Sequence, residues 1–287
     1  MPLRFHKYQA LGNTYLVVEP GSDEAVSEAL VRRLCDLHYG VGSDGVLIGG
    51  PGTRAGFSLA IFNPDGSEAE KSGNGLRIFA RYLWDSGRVG AEPFEVATKG
   101  GTVRCRIEGS GRAIAVDMGN ATFWSANIPV AGVPREVVDE ELRVGSQVLR
   151  FTGVSVGNPH CVILADEIGP DLAQRLGPLI ERHEIYPNRT NVQFVKVIDR
   201  SRIRLEIWER GAGYTLASGS SSCAAAAACV RLGKCDGRIT VEMPGGELNI
   251  AVSPEFAVRM VGPAEKIAEG VMSPEFFAPV AGAARGG

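Results

Sequence analysis

The chain repeats itself once, and that repeat limits what it can fold into more than any other property of the sequence. Gly12-Asn13 recurs as Gly157-Asn158 and Ser72-Gly73 recurs as Ser218-Gly219, at offsets of 145 and 146 residues. The segment FSLAIFNPDGSEAEKSGNG (57–75) aligns without a gap on IRLEIWERGAGYTLASGSS (203–221), with Ile61 and Ile207 each 11 residues before their Ser-Gly. Each copy reads as strand, turn and helix. Phe57, Leu59 and Ile61, like Ile203, Leu205 and Ile207, alternate with the period of a half-buried strand; a polar, glycine-containing stretch follows, and a helix then begins. Self-similarity of this length implies two domains of one fold facing each other across a cleft.

Leu76, Phe79, Ala80 and Leu83 fall at i, i+3, i+4 and i+7, and the pattern stops near Gly87, which predicts a helix with one buried face. The matching segment CAAAAACVRLG is apolar all round and is predicted to lie at the centre of its domain. The short β-rich runs EVATKGG, TVRCRIEG and AIAVDMG make the whole α+β. Turn signals cluster in the Pro- and Val-rich stretch 126–144, where the hinge is expected. The expected division is an N-terminal domain over 1–125, a C-terminal domain over 126–264, and a tail, 265–287, packing back on the first.

Composition narrows the partners. The net charge is −3 and the Lys and Arg residues are scattered, so nothing marks a nucleic-acid or anionic-membrane surface. The beginning MPLRFHKYQALGN has no apolar h-region, and the longest apolar run, around Cys223 to Val230, is far short of a membrane span, so a cytoplasmic location is expected. Six cysteines (Cys35, Cys105, Cys161, Cys223, Cys229, Cys235) show neither a CxxC pair nor histidines at zinc spacing, which predicts buried free thiols and no metal site. Gly40-Val-Gly-Ser-Asp-Gly45 fits GxGxxG, but a helix-like RRLCDLHY precedes it and a strand-like VLIGG follows. A dinucleotide fingerprint needs the reverse order.

Two helix N-termini, each behind a Ser-Gly turn and related by the repeat, both suit a carboxylate or phosphate, because unpaired amides and the positive end of the dipole point outward there. Ser72 and Ser218 then lie on opposite sides of the ligand. One group on each face of one carbon is the geometry of an inversion in which one residue removes a proton and the other returns one. The alternative is that both serines are simple helix caps.

The motifs FHKYQALGNTYLVVE, YGVGSDGVLI, FNPDGSEAEKSGNGLRIFARYL, VGNPHCV, NRTNVQFV and WERGAGYTLASGSSSCAAAA, in this order, resemble those of the diaminopimelate epimerase family of cofactor-independent amino-acid epimerases. The resemblance covers essentially the whole chain. It implies two similar α+β domains, each a barrel-like mixed sheet around a central helix, closing over an amino-acid substrate without a cofactor; a homodimer stays open. By motif matching, the amides of Gly73, Asn74, Gly75, Gly219 and Ser220 cradle the α-carboxylate, and Asn63, Asn158, Asn191 and Arg210, with Asn13 nearby, hold the distal end. His160 and Glu209 match residues beside the family's acid/base pair.

The departure lies in that pair. The resemblance puts cysteines at both catalytic positions, whereas this chain has Ser72 and Ser218. Cys223 lies five residues into the second helix, and five steps of about 100° turn it away from the direction of Ser218. The flanks differ too: Lys71 stands in place of an apolar residue, Tyr214 in place of a Glu, and Ser221-Ser222 in place of Gly-Ala. This points to a divergent member with Lys71 and Tyr214 as candidate substitute acid/base groups; a packing tyrosine and a solvated lysine are the plainer alternative. Three functions follow: an epimerase acting at the α-carbon of diaminopimelate or a related amino acid, a silent homologue that binds an amino acid as a sensor or regulatory subunit, or a different proton-transfer isomerase using Lys71, Tyr214, Glu209 or His160.

Overall fold

The computed structural model describes residues 3–19, 26–51 and 56–278. The first half contains β1 (Arg4–Ala10), β2 (Asn13–Val18), α1 (Glu28–Cys35), β3 (Val46–Pro51), β4 (Phe57–Phe62), β5 (Glu68–Ala69), α2 (Gly73–Asp85), β6 (Phe94–Thr98), β7 (Gly101–Glu108) and β8 (Ala113–Asn120). The second contains β9 (Glu140–Val144), β10 (Gln147–Ser155), β11 (Pro159–Leu164), α3 (Pro170–Glu181), β12 (Asn191–Asp199), β13 (Arg202–Glu209), β14 (Gly213–Thr215), α4 (Gly219–Arg231), β15 (Arg238–Met243), β16 (Gly246–Val252) and β17 (Ala257–Gly262), and β18 (Glu265–Val271) follows.

The pairing order is the same in both halves. From β1, the ladders run antiparallel to β2, parallel to β3, antiparallel to β4, parallel to β6, then antiparallel to β7 and β8. From β10 they run antiparallel to β11, parallel to β12, antiparallel to β13, parallel to β15, then antiparallel to β16 and β17. Each parallel step requires a crossover, and each crossover carries its helix: α1 between β2 and β3, α3 between β11 and β12, α2 between β4 and β6, α4 between β13 and β15. The fold is thus α+β with two pseudo-symmetric domains, as the repeat implies.

The halves are not separate sheets. β8 pairs antiparallel with β17, so one ladder joins them, and the largest cluster of buried apolar side chains passes through both. At the outer edges β18 lies on β1 as β9 lies on β10. The part of the expected tail at 279–287 lies outside the described residues. The expected hinge stretch is anchored rather than loose: Ile128 and Val137 are fully buried, Val137 N–H donates to Phe123 O, and β9 lies within it.

Each half of the sheet curls around its central helix. α4 is buried nearly all round, as its composition predicts. α2 departs from the expected single buried face: Asn74, Arg77, Ile78 and Tyr82 are buried together with Leu76, Phe79, Ala80 and Leu83. It is surrounded because β1, β2, β3, β7 and β8 all pack on it. All six cysteines are free and buried. No helix of the described residues is long and apolar enough to cross a membrane.

Candidate active site

The two central helices meet at their N-termini. A Cβ placed on Gly73 would lie 3.1 Å from Gly219 Cα, and one on Gly219 would lie 3.1 Å from Gly73 Cα, so only glycine lets the two first turns touch without displacement. Met260 of β17 packs beneath both. Ser72 and Ser218 are the N-caps, both extended (φ −137° and −146°). Ser72 Oγ accepts from Gly75 N at 3.0 Å and Ser218 Oγ from Ser221 N at 3.5 Å. The caps therefore occupy the third amide of each helix, Gly75 included. The first two, those of Gly73 and Asn74 and of Gly219 and Ser220, point outward as unsatisfied helix N-termini do. Two helix N-termini abutting in this way suit an anion such as a carboxylate.

The two sides of this cradle are supported differently. On the first, Tyr15 Oη lies 3.4 Å from Ser72 Oγ, with either oxygen able to donate. The Tyr15 ring is buried against Gly45, where an added Cβ would come within 2.5 Å of it. Burial pushes the Tyr15 phenol up to about 12, opposed by its bond to Ser72, so it stands as a neutral donor. Asp44 stands nearby at the rim, its carboxylate held by Thr14 N at 2.7 Å and Thr14 Oγ at 3.1 Å.

On the second side Ser218, 3% exposed, has Glu209 as its neighbour. Glu209 ends β13, as Asn63 follows β4 at the equivalent place. Burial raises the Glu209 carboxyl above its ordinary range; the Ser218 and Thr215 hydroxyls oppose the shift and Asp44 adds to it. A carboxylate with raised basicity beside a hydroxyl is a general-base arrangement.

Of the remaining expected residues, Asn13 and Asn158 contact the cradle residues Asn74 and Ser220. Asn74 Nδ2 donates to Asn13 Oδ1 at 3.1 Å and Ala217 O at 3.4 Å, tying the halves together. Asn158 links Ser220 Oγ (3.4 Å) to His160 Nε2 (2.9 Å). Asn191 donates to Pro159 O and accepts from Arg210 N, which fixes the backbone beside Glu209 and leaves the Arg210 guanidinium exposed. Asn63 Nδ2 donates to Ser67 Oγ within its own turn. His160 is fully buried, and burial pushes its imidazole down to about 3, so it is neutral at physiological pH and orients Asn158 rather than carrying a proton.

Lys71 and Tyr214 are engaged elsewhere. Lys71 Nζ donates to Met118 O at 2.7 Å, and Tyr214 Oη donates to Glu206 Oε2 at 2.7 Å. Cys223 is fully buried and its thiol is pushed up to about 12, which keeps it protonated. Tyr15 is the neighbour of Ser72 that the sequence reading missed. The repeat contains its signal: Tyr15 follows Gly12-Asn13 as His160 follows Gly157-Asn158, two residues after each Asn.

The architecture is a curled mixed sheet around two central helices. Solved structures share it: a probable proline racemase from Agrobacterium radiobacter superposes with a TM-score of 0.72 at 16% identity, covering 96% of this chain and 94% of that one. A hydroxyproline epimerase from Agrobacterium vitis superposes with a TM-score of 0.69 at 14% identity, covering 94% and 93%. The family model described as "Diaminopimelate epimerase" matches residues 5–124 and 152–267, and the chain belongs to that family. A relative from a Nostoc species, "Diaminopimelate epimerase 2", is 51% identical over 278 residues, covering 96% of this chain and 98% of the relative. The diaminopimelate epimerase of Moorella thermoacetica is 38% identical, covering 93% and 98%.

Proposed function

We propose that this protein is an amino-acid epimerase that acts without pyridoxal phosphate, transferring protons on both faces of the α-carbon of diaminopimelate or a related amino acid. The observation that carries this reading is the abutment of the two helix N-termini at Gly73 and Gly219, with a hydroxyl and its own acid/base neighbour on each side. The amides of Gly73, Asn74, Gly219 and Ser220 hold the α-carboxylate, and Asn13, Asn63, Asn158, Asn191 and Arg210 serve the distal end. Domains over 1–125 and 126–264, with 265–278 on the first, close around the ligand.

The two sides then divide the work. Glu209 takes the Ser218 proton as Ser218 Oγ takes the α-proton, and the C–H electron pair moves into the carboxylate, where the helix dipoles stabilise the second negative charge. Ser72 Oγ–H delivers a proton to the opposite face and recovers one from Tyr15 Oη–H. The reverse epimerisation exchanges these roles. A second reading, an amino-acid binder without turnover, is favoured by one observation: both serine hydroxyls are already used as caps.

Incubation with LL- and meso-diaminopimelate in deuterium oxide separates the two. Incorporation of α-deuterium is expected. Binding of diaminopimelate with no incorporation at high enzyme concentration would sink the epimerase and leave the binder. The Ser72→Cys/Ser218→Cys double variant serves as the positive control for an intact cradle.

A further inference from the structure

Arg77 is the largest fully buried side chain among the described residues, with an exposure of 0%. Its nitrogens donate to Pro263 O (3.2 Å), Gly73 O (3.2 Å), Met260 Sδ (3.3 Å) and Asn74 Oδ1 (2.9 Å), all neutral acceptors. No ion pair involves it among the described residues. Its equivalent in α4, 146 residues on, is Cys223, which stays a neutral thiol. Burial without a compensating charge holds the guanidinium down to about 10.

A buried, unpaired cation is costly, and at the N-terminal end of a helix the dipole adds to the cost. Two of the four acceptors belong to Gly73 and Asn74, the residues whose amides face the cleft. The bond to Asn74 Oδ1 also sets the amide of Asn74, turning its Nδ2 towards Asn13 and Ala217. We propose that Arg77 is a positioning residue whose buried positive charge is balanced by the anion bound at the α2/α4 cradle, and most strongly by the second negative charge that develops there on loss of the α-proton. This rests on the proposed function. The fold keeps the charge on one side only, so the field at the cradle is asymmetric although the backbone is not.

The test compares Arg77→Met and Arg77→Gln, both neutral, with Arg77→Lys. The readouts are the shift in melting temperature on adding meso-diaminopimelate, and kcat and KM for α-deuterium exchange. The neutral variants are expected to bind about tenfold more weakly and to lose kcat by about 10²-fold, a larger fall in kcat than rise in KM, with Arg77→Lys recovering most of both. Unchanged affinity and kcat in a folded neutral variant would overturn the inference. So would failure of both neutral variants to fold while Arg77→Lys folds, because Arg77 would then be purely structural. Absence of exchange in the unaltered protein, with binding still dependent on Arg77, would overturn the epimerase reading and the part of the inference that concerns the developing charge, and leave the balance of the bound anion standing.

Discussion

The cap seen at Ser72 and the proton transfer proposed for it can be separated by a single substitution. As N-cap of α2 its Oγ accepts from Gly75 N at 3.0 Å, and as a proton carrier it needs the O–H that lies 3.4 Å from Tyr15 Oη. Asparagine caps as well as serine, so Ser72→Asn alters helix stability by only a few tenths of a kcal/mol, whereas Ser72→Ala costs about 1 kcal/mol. In a chain of 287 residues that corresponds to a fall in Tm of about 2 °C for Ser72→Ala and under about 1 °C for Ser72→Asn. Neither side chain relays a proton, and loss of a positioned acid/base group lowers the rate by about 10² to 10⁴. Scanning calorimetry and α-deuterium incorporation should therefore diverge for Ser72→Asn, with stability kept and exchange lost. If Ser72→Asn exchanges as fast as the unaltered protein, Ser72 is a cap and nothing more, and the two-sided mechanism fails. Ser72→Cys runs the other way: a thiol with pKa about 8.5 is far more acidic than an alcohol, each unit being about 1.4 kcal/mol, so exchange should rise.

Glu209 titrates above the ordinary carboxylate range, so the native state binds more protons than the unfolded one between the two pKa values, and its stability contribution falls as pH rises through that window. Glu209→Gln should therefore raise Tm above the window while abolishing exchange; a lower Tm there would contradict the burial argument. For His160 the sign is opposite. Its native pKa of about 3 lies below the unfolded value of 6.5, so stability falls as pH drops from 6.5 towards 3, and Tm measured across that range in His160→Gln should show a flatter decline.

The repeat made the pseudo-symmetry, both central helices and the cradle legible, because matched turns and strand periods survive as identities. What it hid are the places where the copies differ. Tyr15 faces His160 across the alignment, Arg77 faces Cys223, and Asn63 faces Glu209. α2 is buried beyond the one face that periodicity predicts, because the sheet packs around it and polar partners satisfy Asn74 and Arg77. The β8–β17 ladder left no local signal, since an edge joined across the halves looks like any other strand.

The strand order has a consequence for how the two halves are connected. β9 and β10 form one continuous hairpin, turning at Gly145-Ser146, while the equivalent pair β18 and β1 is drawn from the last and first strands. Two residues, Pro263 and Ala264, separate β17 from β18. A circular permutant linking β18 to β1 through a short turn and opened between β8 and β9 would run as two tandem nine-stranded units of one topology. The two halves thus share one topology offset by one strand, with the outer edge strand of the first half supplied by β18 and that of the second by β9.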